Sequence, residues 1–233
     1  MDNLIHTARD ALFLLFSGDA ALWTIVLTSL KISLLAMFIA TPVALLLAFV
    51  LAFNDFWGRR FIISCFNISL AIPTVVVGLL IYMLLSRQGP LGDFRLLFTQ
   101  TAMVIAQVAL SFPVLVAMGH VACQAADRRA WETAITLGAS PWQALFTVMY
   151  EIRFGLLASV IAAFSRIISE VGSAMMVGGN ILDYTRNITT AIALETSKGM
   201  FAQGVALGIV LLLIALVLNG LLSLLQGQGQ AAH

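Results

Sequence analysis

The sequence predicts an all-α integral membrane protein with about five transmembrane helices. Hydrophobic residues make up 61% of the 233 residues, charged residues make up only 10%, and the mean hydropathy is +1.02. Soluble domains are typically about 45–50% apolar and about 25% charged. A soluble chain with this composition would expose large apolar patches and aggregate, so lipid must be the solvent for much of its surface.

Long apolar runs locate the spans, since a helix needs about 20 mostly apolar residues to cross a bilayer. The predicted spans are residues 22–53, 61–85, a segment within 96–126, 154–177 and 200–225. Membrane β-strands would appear as segments of about ten residues with alternating polarity, and these runs are longer and apolar on all sides. Residues 178–199 are polar at intervals and are predicted to form a loop with a short helix.

The rest of the chain organisation follows from these spans. We predict an external N-terminal segment (1–20), a transmembrane domain (21–226) and a cytoplasmic tail (227–233). Within the first segment, residues 4–16 form a short amphipathic stretch expected to lie in the membrane interface. Prolines within the spans predict kinks, at Pro42, Pro73 and Pro113.

The orientation in the cytoplasmic (inner) membrane is less strongly encoded. The loops on the two sides carry equal numbers of Lys and Arg, so a bare count does not decide between the orientations. Arg59 and Arg60 lie in a tight loop beside the first two spans. Their proximity favours a cytoplasmic location for that loop, with the N-terminus outside and the C-terminus in the cytoplasm.

Several classes of function are excluded by charge and by missing motifs. Twelve Lys and Arg against eleven Asp and Glu give a net charge of +1, so no basic field would attract nucleic acid. No G-x-x-x-x-G-K-[ST] phosphate loop occurs, so this chain does not hydrolyse ATP itself. No metal-ligand spacing and no nucleophile with a base in reach occur either. We therefore expect a non-enzymatic membrane protein without a cofactor or metal.

The loop at residues 127–153 differs from the other connections because it carries two helical patterns. Residues 131–137 predict a short helix that Gly138 ends, and Ser140 with Pro141 is a typical start for a second one. Apolar residues then recur at helical spacing, at Trp142, Leu145, Phe146 and Met149. Exposed aromatic residues on two short helices indicate a docking element. The alternative is an interfacial loop whose aromatic residues touch lipid headgroups.

This loop resembles the E-A-A-x-x-x-G loop of ABC importer permeases, through Glu132-Thr133-Ala134 and Gly138. In that family the loop forms a coupling helix that sits in a cleft of the cytoplasmic ATPase subunit. The resemblance implies an ATPase-coupling role for Trp131, Glu132, Thr133, Ala134, Gly138, Ala139 and Trp142. The family pattern continues as I-x-L-P, whereas residues 148–151 here read Val-Met-Tyr-Glu and lack the proline.

A second resemblance covers the C-terminal half. Residues 169–181 and 189–196 look like the permease of tungstate importers, and Arg166 with Glu170 resembles the R-x-x-x-E-x-G element of molybdate permeases. The likeness extends over roughly residues 20–225. It implies a type I ABC importer permease fold and an assembly of two such chains, two ATP-binding subunits and an external oxyanion-binding protein. Tungstate is the favoured cargo, with molybdate or another oxyanion as the alternative, and a passive channel or membrane scaffold as the rival class.

Two charges lie deep in the fourth span. Arg166 and Glu170 are four residues apart, so on a continuous helix they share a face and can pair. A charge at the bilayer centre costs about 2.5–3.5 kcal/mol, so both should face protein or water. The pair either holds the fourth helix against its neighbours, which we slightly favour, or lines the translocation path together with Ser169 and Ser173.

Small residues in the fifth span form the pattern Gly204-x-x-x-Gly208. Such a pattern permits close approach of two helices. It marks either the contact between two copies of the chain or packing within one subunit.

Overall fold

The structure is a computed structural model that describes residues 9, 11–14, 16–125 and 128–231, without the side chains of 128–130 and 225–231. The predicted interfacial segment and the cytoplasmic tail therefore lie partly outside the described residues. The helices in chain order are α1 (Ala20–Phe53), α2 (Arg59–Ser69), α3 (Thr74–Leu85), α4 (Gln100–Gln124), α5 (Arg128–Thr136), α6 (Pro141–Glu151), α7 (Arg153–Ile168), α8 (Gly172–Gly178), α9 (Ile188–Ser197) and α10 (Phe201–Ala231). A short 3₁₀ turn at Gly92–Phe94 lies between α3 and α4.

Within the part of the chain that the structure describes, three helices are individually long and apolar enough to cross a membrane. They are α1, α4 and the Phe201–Leu224 part of α10. Up to five spans result if each of two bent helix pairs, α2 with α3 and α6 with α7, counts as one span. The upper limit agrees with the number of spans that the sequence predicts.

The predicted second span is not one continuous helix. Helix α2 ends at Ser69 and α3 begins at Thr74, with Pro73 as the N-cap at φ −59° and ψ 131°. Proline lacks an N–H and pushes the residue before it out of helical geometry, which accounts for a break at this position. By contrast, α1 and α4 remain helical on both sides of Pro42 and Pro113.

The predicted fourth span, 154–177, is also divided. Helix α7 has 16 residues and ends at Ile168, and α8 adds seven residues from Gly172. The Ser169 hydroxyl lies 3.0 Å from the Ser165 carbonyl oxygen and 3.1 Å from that of Arg166. Such side-chain bonds to the preceding turn slightly destabilise and bend a helix, and α7 ends here although the sequence predicts it to continue.

The described part of the chain forms two compact units. The first consists of the described residues within Met1–Ala36, Pro73–Leu110 and Ser165–Val217, and the second of those within Met37–Ile72, Ser111–Phe164 and Leu218–His233. A buried cluster in the first unit includes Leu22, Val26, Ile188, Ala191, Ala206 and Leu207. A buried cluster in the second unit comprises Phe49, Ala52, Cys123, Leu145, Val148 and Leu156.

The predicted loop at residues 178–199 contains the expected short helix, α9. Its first residue, Ile188, is fully buried and donates its N–H to the Ser29 hydroxyl at 2.7 Å. The helix starts with a capping box between Asn187 and Thr190. This segment is therefore part of the core of the first unit rather than a peripheral connection.

Candidate functional site

The loop between α4 and α7 has the helix–break–helix form that the sequence predicts. Helix α5 ends at Thr136, and Gly138 follows at φ +89°, a conformation that glycine adopts without strain. Ser140 begins α6 with a capping box, in which the Ser140 N–H donates to Gln143 Oε1 at 2.8 Å. The reciprocal bond runs from the Gln143 N–H to the Ser140 hydroxyl at 3.4 Å.

One face of α6 anchors this loop to the second unit. Ala144, Leu145 and Val148 are buried on α6. Leu145 and Val148 belong to the cluster that contains Phe49 of α1, Cys123 of α4 and Leu156 of α7. A displacement of α6 therefore acts directly on the adjoining parts of three long helices.

The opposite face of α6 carries an aromatic stripe, which we define as Trp142, Phe146 and Tyr150. Their side chains are 63%, 67% and 69% exposed, respectively. The spacing of four residues places all three on one helical face. Exposed apolar surface of this kind typically marks a contact with another protein or with the lipid interface. The predicted coupling set includes only Trp142 of this stripe, although the same spacing in the sequence points to Phe146 and Tyr150.

Trp131 has a different position from the one expected. The sequence predicts Trp131 on an exposed docking surface, but its indole packs against Phe49 and Phe53, with ring centroids 5.4 and 5.8 Å apart. The indole is half-buried, because the amphipathic α5 turns it toward α1. Trp131 therefore anchors α5. The other members of the predicted set divide into exposed residues (Glu132, Thr133 and Gly138) and half-buried ones (Ala134 and Ala139).

The chain leaves α6 without the proline of the family pattern. Helix α6 ends at Glu151, and the chain bends by 73° into α7. Arg153 donates to the Tyr150 carbonyl at 2.8 Å, and its guanidinium lies 4.3 Å from the centre of the Tyr150 ring. The same guanidinium lies 4.6 Å from the centre of the Phe154 ring. An arginine that binds a terminal carbonyl and stacks on two aromatic rings fixes this corner in place of a proline.

The predicted ion pair of the fourth span is wrong. Among the residues that the structure describes, no ion pair joins Arg166 and Glu170. Because α7 ends at Ile168, the two residues do not occupy one continuous helix. The four-residue spacing therefore does not place their side chains on a common helical face. Glu170, only 8% exposed, instead accepts the Ser173 N–H at 3.1 Å through Oε1. Its carbonyl oxygen accepts the Thr189 hydroxyl at 2.7 Å.

Among the described side chains of the first unit, five have a buried polar atom without a hydrogen-bond partner, and three of these five lie on or beside the fourth span. Ser173 Oγ, Arg166 Nε and Gln107 Oε1 are buried atoms that find no hydrogen-bond partner within the described chain. Gln107 also places its Nε2 3.5 Å from the Ile167 carbonyl oxygen. Ser169, the fourth predicted path residue, is exposed and bonds back to its own helix. The sequence prediction omits Gln107, whose only signal is an amide in the middle of an uncharged run.

Residues 40–227 match the family described as the binding-protein-dependent transport system inner membrane component. The chain belongs to this family. The match confirms the resemblance to ABC importer permeases and makes the chain an inner membrane component of such a system. Family membership implies an ATP-binding subunit and a binding protein as partners.

Individual relatives match over most of their length. A tungstate uptake system permease protein of Campylobacter jejuni is 42% identical, over 94% of this chain and 92% of its own. One from Peptoclostridium acidaminophilum is 37% identical, over 97% and 99%. A molybdenum transport system permease protein of Escherichia coli strain K12 is 30% identical, over 73% and 78%.

A solved structure shows the fold. The crystal structure of an amino acid ABC transporter with histidines superimposes with a TM-score of 0.66. The superposition covers 91% of this chain and 96% of the other, at 19% sequence identity. The predicted all-α permease fold is thus confirmed by a structural neighbour whose sequence has largely diverged.

Proposed function

We propose that this chain is the permease subunit of an ATP-driven tungstate importer. The observation that carries the proposal is the alignment with two tungstate uptake permeases over more than nine-tenths of this chain, at 42% and 37% identity. Both alignments include residues 169–181 and 189–196, the two segments that resemble tungstate permeases in sequence. The chain supplies the membrane path, and a separate ATP-binding subunit supplies the free energy.

The loop formed by α5 and α6 is the proposed coupling element. Its aromatic stripe, with Glu132 and Thr133 beside it, docks into the ATP-binding subunit. Its buried face, centred on Leu145 and Val148, passes the movement of that subunit to α1, α4 and α7. Two permeases and two ATP-binding subunits form the assembly, with the path at the two-fold axis between the permeases.

The proposed path runs along the fourth span. Arg166 and Ser173 offer donors to a tetrahedral dianion, while Glu170 holds the break between α7 and α8 in shape. Binding along such a path has to be weak enough for the anion to leave again. In the proposed orientation the N-terminus is outside, so the α3–α4 connection faces the external binding protein and the α5–α6 loop faces the cytoplasm.

Reconstitution tests the proposal. The permease is placed in proteoliposomes with its ATP-binding subunit, the loaded binding protein is added outside, and tungstate uptake is followed by mass spectrometry. We expect uptake that depends on ATP and on the binding protein. ATP hydrolysis that does not respond to the loaded binding protein would contradict an importer.

Molybdate is the second candidate cargo, supported by the E. coli molybdenum permease at 30% identity. Uptake of tungstate, molybdate and sulfate in the same vesicles separates the candidates. A preference for molybdate would reassign the substrate and retain the mechanism. A passive channel or a scaffold predicts that no ATP-binding subunit copurifies with the chain.

A further inference from the structure

A cavity of about 850 Å³ lies where the α3–α4 connection folds over the end of α3. Its lining includes Tyr82, Ser86, Arg87, Gln88, Arg95 and Phe98. The residues that line this cavity belong neither to the proposed coupling element nor to the polar groups of the fourth span. We name it the arginine pocket.

The pocket carries unneutralised positive charge. Within the described ranges, neither Arg87 nor Arg95 has a carboxylate partner, and both side chains are exposed. Asp93 is the one acidic residue between positions 86 and 98, and it does not line the cavity. Guanidinium groups bind tetrahedral oxyanions through two parallel N–H bonds, so a pair of them beside Ser86 and Gln88 suits a dianion.

The connection that presents these arginines is tightly built. A Cβ on Gly89 would clash with the Met83 carbonyl oxygen, and one on Gly92 would lie 2.5 Å from that of Ser86. The Leu91 N–H also donates to the Leu84 carbonyl at 3.0 Å. Because the backbone packs directly onto the end of α3, the pocket exists before any ligand arrives, which lowers the entropic cost of binding.

Phe98 connects the pocket to the fourth span within the first unit. Its ring pairs with Tyr82 in the pocket lining, with centroids 6.3 Å apart, and its N–H donates to the Val177 carbonyl of α8 at 2.9 Å. A Cβ on Gly179 would lie 2.7 Å from this ring. Phe98 thus contacts both the lining of the arginine pocket and α8, the helix that contains Ser173.

We propose that the arginine pocket is a receiving site for a tetrahedral oxyanion dianion, which it holds after release from the binding protein and before entry into the path. The proposal rests on the proposed function for the direction of movement and for the external location of the pocket. The site is open and strongly solvated, so the anion binds weakly and leaves easily. It discriminates little among tungstate, molybdate and sulfate, since a cavity of about 850 Å³ does not enclose a single anion tightly enough to select by size.

Thiol labelling tests the site without requiring transport. Gln88→Cys is introduced into the permease of the full complex in nanodiscs, and modification by a membrane-impermeant thiol reagent is timed during titration with sodium tungstate, with sodium chloride holding the ionic strength constant. The complex without this substitution gives the background from Cys65. We expect tungstate to slow the labelling and Arg87→Gln with Arg95→Gln to abolish that protection. Labelling that tungstate leaves unchanged overturns the proposal.

Uptake by the reconstituted complex tests the role of the site. The double glutamine variant should lower the maximal uptake rate about threefold to tenfold, as loss of two exposed charge-assisted contacts to one dianion implies. The half-saturating concentration of loaded binding protein should stay unchanged. Arg87→Lys with Arg95→Lys keeps the charge and should retain at least half of the rate. Arg9→Gln removes an exposed arginine outside the pocket and serves as the matched control.

The remaining outcomes separate the two proposals. An unchanged maximal rate with a raised half-saturating concentration means that the arginines hold acidic groups of the binding protein, which overturns a receiving site. Normal uptake in the double glutamine variant also overturns it, while the importer function stands. If the wild-type complex shows no tungstate uptake, the proposed function fails, and protection in the labelling experiment still decides whether the pocket binds the dianion.

Discussion

The Trp131 indole and the Phe49 ring pack against each other with centroids 5.4 Å apart and planes tilted by 57°. This contact joins α5, the first helix of the proposed coupling element, to α1. Phe49 also belongs to the buried cluster that contains Cys123, Leu145, Val148 and Leu156. The loop therefore has a fixed side, where Trp131, Leu145 and Val148 pack against the rest of the second unit, and a free side, which carries the exposed aromatic stripe. Substitutions on the fixed side should lower stability, and substitutions on the free side should weaken binding of the ATP-binding subunit.

Trp131→Ala removes an anchor on the fixed side. We expect a loss of about 2 kcal/mol in stability, because an aromatic pair adds about 0.5–1.5 kcal/mol to the burial of the ring itself. The thermal transition of the purified permease, followed by fluorescence-detected gel filtration, measures this loss. Trp131→Phe should recover most of it. An unchanged transition for the alanine variant would mean that the α5 anchor contributes nothing.

Phe146→Asp alters the free side. The side chain is 67% exposed, so the thermal transition should stay within about 0.5 kcal/mol of wild type, as is usual for surface substitutions. Copurification of the ATP-binding subunit should fall at least about tenfold, since an apolar anchor is replaced by a charge at the centre of the contact. Thr147→Ser, on the neighbouring exposed position, is the control. Full copurification with Phe146→Asp would remove the aromatic stripe from the docking surface.

Substitutions of Glu170 test the hydrogen bond that its side chain accepts from the Ser173 N–H. Glu170→Gln keeps an oxygen that accepts the Ser173 N–H, whereas Glu170→Ala leaves that N–H buried without a partner. The alanine variant should lose about 1–3 kcal/mol and the glutamine variant much less, because an unsatisfied buried donor carries the full desolvation cost. Thermal transitions of the two variants give the comparison. Equal losses would show that the carboxylate charge, rather than the bond from the Ser173 N–H, is responsible for the stability.

Arg166→Met distinguishes a role of Arg166 in transport from a role in folding. No carboxylate partner of Arg166 is present among the described residues, so the substitution should leave a stable complex. We expect uptake to fall at least about tenfold if the guanidinium contacts the moving dianion, which corresponds to about 1.4 kcal/mol. Arg166→Lys should retain part of the rate. A stable Arg166→Met complex with unchanged uptake would remove Arg166 from the path.

Gly78→Ala tests the contact between α3 and α8. A Cβ at Gly78 would lie 2.7 Å from the Cα of Ser173, so the helices would have to separate. Overpacking of this kind costs about 1–3 kcal/mol. Gly208→Ala is the matched control, since nothing lies within 4 Å of the Cβ it would add. Similar thermal transitions for both variants would argue against close packing at Gly78.

The sequence predicts the regular features well because each depends on a local pattern. Hydropathy identifies the spans, and Gly138, Ser140 and Pro141 identify the end of α5 and the start of α6. These signals act over a few residues and need no knowledge of what packs nearby. The predicted fold class and family also depend on such local patterns, and the family match and the structural neighbour confirm both.

The features that the sequence does not predict depend on distant partners. The four-residue spacing of Arg166 and Glu170 assumes a continuous helix, and the break after Ile168 removes that assumption. The fixed position of Trp131 depends on Phe49 and Phe53, which lie far away in the chain. The arginine pocket likewise requires the chain to fold back at Gly89 and Gly92, and neither glycine reveals by itself which surface it approaches.

The bond from the Thr189 hydroxyl to the Glu170 carbonyl has a consequence for biosynthesis. Thr189 follows Glu170 by 19 residues, so at about 5–20 residues per second it is translated a second or more later. A buried carbonyl without a partner costs on the order of several kcal/mol. The break between α7 and α8 therefore gains this stabilising bond only after Thr189 has been synthesised.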